Sequence, residues 1–241
     1  MFFISTFIDL NQGVMIVESP RCSVKLQINL KTDSCLHGRE EITMHGQRYE
    51  VEDYETDVNL WFSNAVGFAC TLLRHSSAKD FHFNKDRSML KCRDAESRLN
   101  FANEAQFLLI SEESVSDLNS RIKSNVQKGT CGTPVLVNAK RFRPNLVVSG
   151  AEPYAEDGWR SVTIGNKLLT SLGGCSRCQM INFVHQGGQV HKSKEPLTTL
   201  ASYRRVKGKI LFGILLRYEL GDNHELDADP WIRLGQEVYT N

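Results

Sequence analysis

Cys175-Ser176-Arg177-Cys178 puts two thiols around a guanidinium, directly after the pair Gly173-Gly174. A thiolate is the soft nucleophile and metal ligand of proteins, and a nearby guanidinium favours the anion. Three chemistries compete for such a stretch. A structural zinc site needs a second cysteine pair at ligand spacing, and the chain has none. A redox pair ordinarily opens a helix, whereas Gln179 to Val184 reads as a strand. A single thiolate ligand to a soft metal remains, beside the plainer reading of two structural cysteines in a tight turn. The paired glycines would let backbone approach a ligand closely.

Upstream, Arg141-Phe142-Arg143-Pro144-Asn145 offers two guanidiniums and an amide. In an extended backbone Arg141 and Arg143 share one face, and Pro144 favours extended geometry at Arg143. Two guanidiniums on one face form a fork for phosphate or carboxylate, and Asn145 adds an amide donor. The alternative, two arginines lying over a sheet surface, is left open by the spacing. Asp157, near Trp159 after the Glu152-Pro153-Tyr154 turn, can pair with these arginines or sit on an exposed acidic turn. Arg204, Arg205 and Lys207 form a small basic cluster that reads as a solvated helix end.

The composition is that of a globular chain: 241 residues, 41% hydrophobic and 24% charged, with a net charge of +1. That balance argues against a general nucleic-acid or membrane-surface binder. No apolar run approaches the roughly 20 residues that span a bilayer. Met1 to Ile8 is apolar but lacks a basic n-region and a small-residue cleavage site, so no secretory signal is expected. Seven scattered cysteines fit a reduced, cytoplasmic protein.

These stretches must be positioned by a mainly β framework with a few helices. Val14–Val17, Ser23–Ile28 and Gly46–Val51 are strand candidates in a β-rich segment over 1–55. Asp57 to Leu73 carries apolar residues at helical spacing, with Thr56 or Asp57 as cap and Cys70 as a buried, inert thiol. His75 to Leu99 is polar and reads as a surface loop. Gln106–Ile110 fits a buried strand. Ser111 to Val126 fits a helix with Ser114 and Asp117 as capping box and Val115, Leu118, Ile122 and Val126 as its stripe, ended by Gly129–Pro134. Strands are expected at Asn145–Ser149, Ser161–Ile164, Lys167–Leu172, Gln179–Val184, Ile210–Leu220 and Ile232–Val238, with a short helix over Glu195–Arg204. Many short strands with glycine turns suggest a barrel.

Taken together, Arg141-Phe142-Arg143-Pro144-Asn145, Glu152-Pro153-Tyr154 with Asp157 and Trp159, Cys175-Ser176-Arg177-Cys178, Glu195-Pro196-Leu197 with Tyr203-Arg204, and Leu211-Phe212-Gly213 resemble the MOSC domain family. The wording of Ser171–Cys175 and Leu197–Arg204 is most similar to the plant cofactor sulfurases that carry this domain. The resemblance implies a MOSC β-barrel over 56–241 preceded by a partial N-terminal β domain over 1–55. It implies binding of the pyranopterin molybdenum cofactor, with Cys178 matching the molybdenum ligand and catalytic position. Arg141, Arg143, Asn145 and Arg177 match the cofactor-holding stretches. The implied activity is presentation of the cofactor for exchange of an oxo for a sulfido ligand. The persulfide would come from an aminotransferase-like domain carrying pyridoxal phosphate, outside this chain. Xanthine dehydrogenase and aldehyde oxidase would be the recipients. Amidoxime-type reduction of N-hydroxylated compounds, or a non-catalytic carrier, are the alternatives the resemblance leaves.

Overall fold

The computed structural model describes residues 3–31, 36–44, 47–75, 91–92, 95–96, 104–127, 136–186, 189–219, 229 and 231–241. The Gly129–Pro134 helix stop, the Gly221–Asn223 turn, part of the Gln186–Gly188 turn and most of the His75–Leu99 loop lie outside them. The chain divides into two compact units. One comprises Met1–Ser88 with His185–His191, the other Met89–Val184 with Lys192–Asn241.

In the first unit, β1 (Ser5–Asp9), β2 (Val14–Glu18) and β3 (Leu26–Asn29) form an antiparallel sheet. A second sheet holds β4 (Leu36–Met44), β5 (Gln47–Tyr54) and β6 (Leu73–His75), with α1 (Thr56–Val66) between β5 and β6. Val17, Ile28, Tyr54 and Val58 are buried together, with Trp61 and Phe62 packed on them. The apolar spacing that suggests a helix to Leu73 runs past its end. Gly67 takes a left-handed conformation (φ 91°) and its N–H closes on the Ser63 carbonyl at 2.8 Å. The Ser63 hydroxyl also accepts the Cys70 N–H at 3.0 Å, so Ala69 and Cys70 belong to a return loop and Leu73 to a strand. Neither Thr56 nor Asp57 caps this helix: Glu55 precedes it and makes no side-chain cap bond. Cys70 is half-buried rather than sealed in a core. The first compact unit holds α1 together with the strand residues it packs on, Val17, Ile28 and Tyr54.

The second unit is built on a nearly closed β-barrel sheet. Its strands, after the short β7 (Lys91–Cys92) and β8 (Ala95–Glu96) pair, are β9 (Phe107–Ser111), β10 (Leu146–Val148), β11 (Ser161–Ile164) and β12 (Lys167–Ser176). β13 (Phe183–Gln186) and β14 (Gln189–Lys192) form a separate ribbon whose His185–His191 portion belongs to the first unit, and β15 (Arg205–Val206), β16 (Lys209–Tyr218) and β17 (Val238–Thr240) complete the order β10-β9-β16-β12-β11-β17, with β15 on β16. Only β9 and β10 run parallel; the other pairings in this sheet are antiparallel. The helices are α2 (Glu112–Gln127) and α3 (Leu197–Tyr203).

β9 and β16 read as nearly continuous apolar runs because both of their faces are buried. Leu109, Ile214 and Leu216 join Val162, Ile164 and Leu169 on one side. Leu108, Ile110 and Phe212 join Val115, Leu118 and Ile122 of α2, Leu200 of α3, Phe142 and Ile181 on the other. The stripe read for α2 therefore faces the core at Val115, Leu118 and Ile122. Its capping differs from the expected box. Ser111 precedes the helix and its hydroxyl accepts the Ser114 N–H at 3.3 Å. Ser114 is one turn in and buried; its hydroxyl donates to Glu156 at 2.7 Å and accepts the Tyr154 N–H at 2.8 Å. The C-terminal strand is shorter than expected, with Val238–Thr240 alone paired to β11.

Candidate functional site

The cysteine stretch begins inside the sheet. β12 and β16 lose register between Ser171 and Gly174 and again before Ser176, which marks a bulged strand. Gly173 takes φ 89°, which a side chain would disfavour, and a Cβ on Gly174 would lie 3.1 Å from Leu211. The glycine pair thus serves the bulge and the close strand contact within the protein. Beyond it Cys175 is half-buried against the α2–α3 core, whereas Cys178 is exposed.

Gln179–Asn182 is a 3-10 turn with Cys178 at its N-cap, not the start of a strand. Its anchor is Ile181, which is buried, while Gln179 and Met180 face solvent. One tight turn buries Ile181 and Asn182 together before β13 begins at Phe183. The buried Asn182 accepts the Leu197 N–H through Oδ1 at 3.1 Å and so fixes the start of α3.

The arginine stretch is also tighter than the spacing suggests. Ala139–Phe142 is a 3-10 turn, and Arg143 follows in a left-handed conformation (φ 58°). Arg141 and Arg143 therefore do not form the expected fork from an extended backbone. Phe142 is the physical reason: its ring is buried against Phe212 with centroids 4.4 Å apart, and the chain curls around it. Past Phe142 the backbone reverses into Asn145. There the Asn145 N–H donates to the Leu108 carbonyl at 2.9 Å, and Asn145 Oδ1 accepts the Leu108 N–H at 2.8 Å. These two bonds splice the turn onto β9.

Two arginines join the stretches to each other. Arg177 donates from Nη2 to the Phe142 carbonyl at 2.7 Å and from Nη1 to the Cys175 sulfur at 3.1 Å. In the other direction, Arg141 Nη1 donates to the Phe183 carbonyl at 2.7 Å, and burial lowers the pKa of this guanidinium. Of the two thiols in the motif, the Arg177 guanidinium is thus bonded to Cys175. Its Nε is buried with no hydrogen-bond partner among the described residues. Arg143 and Cys178 are both exposed, on the two stretches that these bonds hold together.

Asp157 does not serve Arg141 or Arg143. It pairs with Arg204 at 2.6 Å, and Arg204 also donates from Nε to the Leu211 carbonyl at 3.1 Å and lies over the Tyr154 ring. Tyr154 in turn meets Tyr203 at 2.7 Å and donates to Asp117 at 2.7 Å. Burial opposes ionisation of Asp117, but bonds from Arg121 and Tyr154 prevail and hold its carboxyl below the usual range. Burial pushes both tyrosine pKa values up, so both stay neutral donors. This network, largely unforeseen from sequence, locks α2, α3 and the Tyr154 turn; the signal for it was the Glu152-Pro153-Tyr154 and Tyr203-Arg204 wording. Among the described residues no group of three or more His, Cys, Asp or Glu side chains is placed to hold a metal ion.

A sequence model of the MOSC domain matches residues 96–239, nearly the span of the second unit. Among curated proteins, molybdenum cofactor sulfurase of Solanum lycopersicum is 55% identical over all of this chain, and that of Arabidopsis thaliana is 54% identical over 99% of it. The chain spans 29% of the length of each. Mitochondrial amidoxime-reducing component 1 of Mus musculus is 31% identical over 81% of the chain and 54% of its own length.

Proposed function

This chain belongs to the MOSC domain family, and from that premise we propose that its second unit holds the molybdenum cofactor for sulfuration. The observation that carries the reading is the reciprocal pair of arginine–carbonyl bonds, Arg177 to Phe142 and Arg141 to Phe183. They tie a stretch ending in an exposed guanidinium to a stretch ending in an exposed thiol.

The donors suit the cofactor's chemistry. Molybdenum accepts a soft thiolate, which Cys178 offers from an exposed N-cap position. The anionic end of the pterin suits the guanidinium of Arg143. Asn145 has its oxygen committed to Leu108, so only its amide N–H groups are available to a ligand. The buried Arg177 Nε has no acceptor among the described residues, as expected where a polar ligand completes a site. Arg141 and the rest of Arg177 act by positioning: each spends a charge-assisted bond on a main-chain carbonyl.

When bound, the cofactor supplies a molybdenum centre on which an oxo ligand exchanges for sulfido. The residues of this chain bind and orient it. Cys178 holds the metal end and Arg143 with Asn145 the pterin end, while Phe142 and Ile181 keep the two turns from drifting apart. The sulfur would come from a pyridoxal-phosphate-dependent persulfide-forming domain outside this chain. Xanthine dehydrogenase and aldehyde oxidase are the proposed recipients, and the cytoplasm the proposed location. No helix among the described residues is long and apolar enough to cross a membrane.

Elemental analysis for molybdenum with pterin fluorescence, on chain purified from a cofactor-producing host, tests the reading. The expected result is about one molybdenum and one pterin per chain, with no steady reduction of an N-hydroxylated substrate when electrons are supplied. Steady turnover would favour an amidoxime-type reductase instead. Absence of both metal and pterin would overturn cofactor binding.

A further inference from the structure

A groove of about 430 Å³ opens beside the thiol-bearing turn, lined by Gln179 and Asn182, by Lys192 and Lys194, by one side of α3, and by Arg205 and Ile210. We propose that this groove docks an acidic, extended segment of a partner protein, seating one apolar side chain on its floor between flanking carboxylates.

The walls decide the chemistry. Leu197, Ala201 and Ile210 supply an apolar floor. Apart from the exposed Gln179 amide, the neutral polar groups around it are already engaged: Asn182 Oδ1 by the Leu197 N–H, the Thr198 hydroxyl by the Lys194 carbonyl, and Ser193 Oγ by the Glu195 N–H. The cations are not. Lys192, Lys194 and Arg205 are exposed, and among the described residues none has an ion-pair partner; Lys192 only leans toward the Phe183 ring at 5.8 Å. Glu195, the one acid in this stretch, is buried, with its carboxylate accepting the Thr199 N–H at 3.0 Å. What the groove has left for a ligand is positive charge and the Gln179 amide around an apolar floor.

The wider charge distribution points the same way. From Lys192 to Ile210 the chain carries six Lys or Arg residues against that single buried Glu, so that the rest of a +1 chain is net acidic. Arg204 is spent on Asp157. Lys207 and Lys209, both exposed, extend the basic surface along the β15–β16 hairpin beyond the groove walls. A small anion filling the groove would leave those two unmatched, whereas an extended acidic segment can reach them. A nucleic acid would need many phosphate contacts and has little use for the apolar floor. Like charges held this close repel one another unless a ligand of opposite sign is present, and such patches steer association. The groove starts at Gln179, the residue after Cys178, so a docked partner is brought beside the candidate thiol.

The test needs no cofactor. A fluorescein-labelled Glu-Glu-Leu-Glu-Glu peptide is titrated with the chain and followed by fluorescence anisotropy. Saturable binding is expected, weakened about tenfold or more by the double substitution Lys192→Glu and Arg205→Glu, by Glu to Gln changes in the peptide, and by added salt. Thr198→Trp is expected to weaken binding by a similar factor, because it fills the groove and leaves every cation in place. Far-ultraviolet circular dichroism confirms that each variant folds; should the charge reversal unfold the chain, Lys192→Gln with Lys194→Gln takes its place. Unchanged affinity in the Thr198→Trp chain would overturn seating in the groove. Displacement of the peptide by inorganic phosphate alone, or tighter binding of a single-stranded oligonucleotide to the same residues, would overturn the choice of an acidic peptide.

Discussion

At the scale of single residues, two cysteines that share one motif have different surroundings. Cys178 caps an exposed turn, whereas Cys175 is half-buried and receives a guanidinium bond at 3.1 Å. Brief alkylation of the native chain with iodoacetamide, read by peptide mass spectrometry, is expected to modify Cys178 first and Cys175 only slowly. Equal labelling would mean that the motif is open along its length. Arg177 is a positioning residue whose bonds reach the Phe142 carbonyl and the Cys175 sulfur. Arg177→Gln is expected to lower unfolding stability by about 1–3 kcal/mol, since it strands a carbonyl that a charged donor had satisfied. Urea denaturation measures this.

Single elements show how the turns are held. Phe142 is 1% exposed and stacks on Phe212, so the Ala139–Phe142 turn hangs on one ring. Phe142→Ala is expected to cost about 3–5 kcal/mol and to release the Arg177 contact with the turn. Glu156 anchors the start of α2 through Ser114, and burial is the largest influence on its pKa, pushing it above the ordinary 4.5. The native state then binds more protons than the unfolded chain above pH 4.5. This contribution is intact below that pH and is lost as pH rises through the elevated pKa. In Glu156→Gln that decline in stability is expected to disappear, which denaturant unfolding at pH 4.5 to 8 would reveal. On β16, Gly213 takes φ 73°, and a Cβ there would lie 2.7 Å from the Leu109 carbonyl oxygen. Gly213→Ala is expected to lower the melting temperature by several degrees, because backbone rather than a pliant side chain blocks the new atom.

Over the whole molecule, the parts that were legible in sequence are those where one local rule acts alone. The apolar runs of β9 and β16 and the stripe of α2 follow from burial on fixed faces, and the MOSC wording identified the family. The turns were not legible, for a common reason. Arg143 and the Gln179–Asn182 stretch take tight conformations because Phe142 and Ile181, distant in sequence, are drawn into one core. Alternation and the proline rule describe isolated segments and carry no information about that pull. The tyrosine–arginine network escaped for the same reason, since Asp117, Tyr154 and Tyr203 meet only once α2 and α3 are packed.

We propose that this chain grips the cofactor's metal through Cys178. The most direct measurement is the molybdenum-to-protein ratio of Cys178→Ser beside the parent chain, both purified identically and matched in melting temperature. A loss of about tenfold or more is expected, because a serine hydroxyl is a poor donor to a soft metal site. A Cys178→Ser chain that keeps the parent's molybdenum content would contradict it.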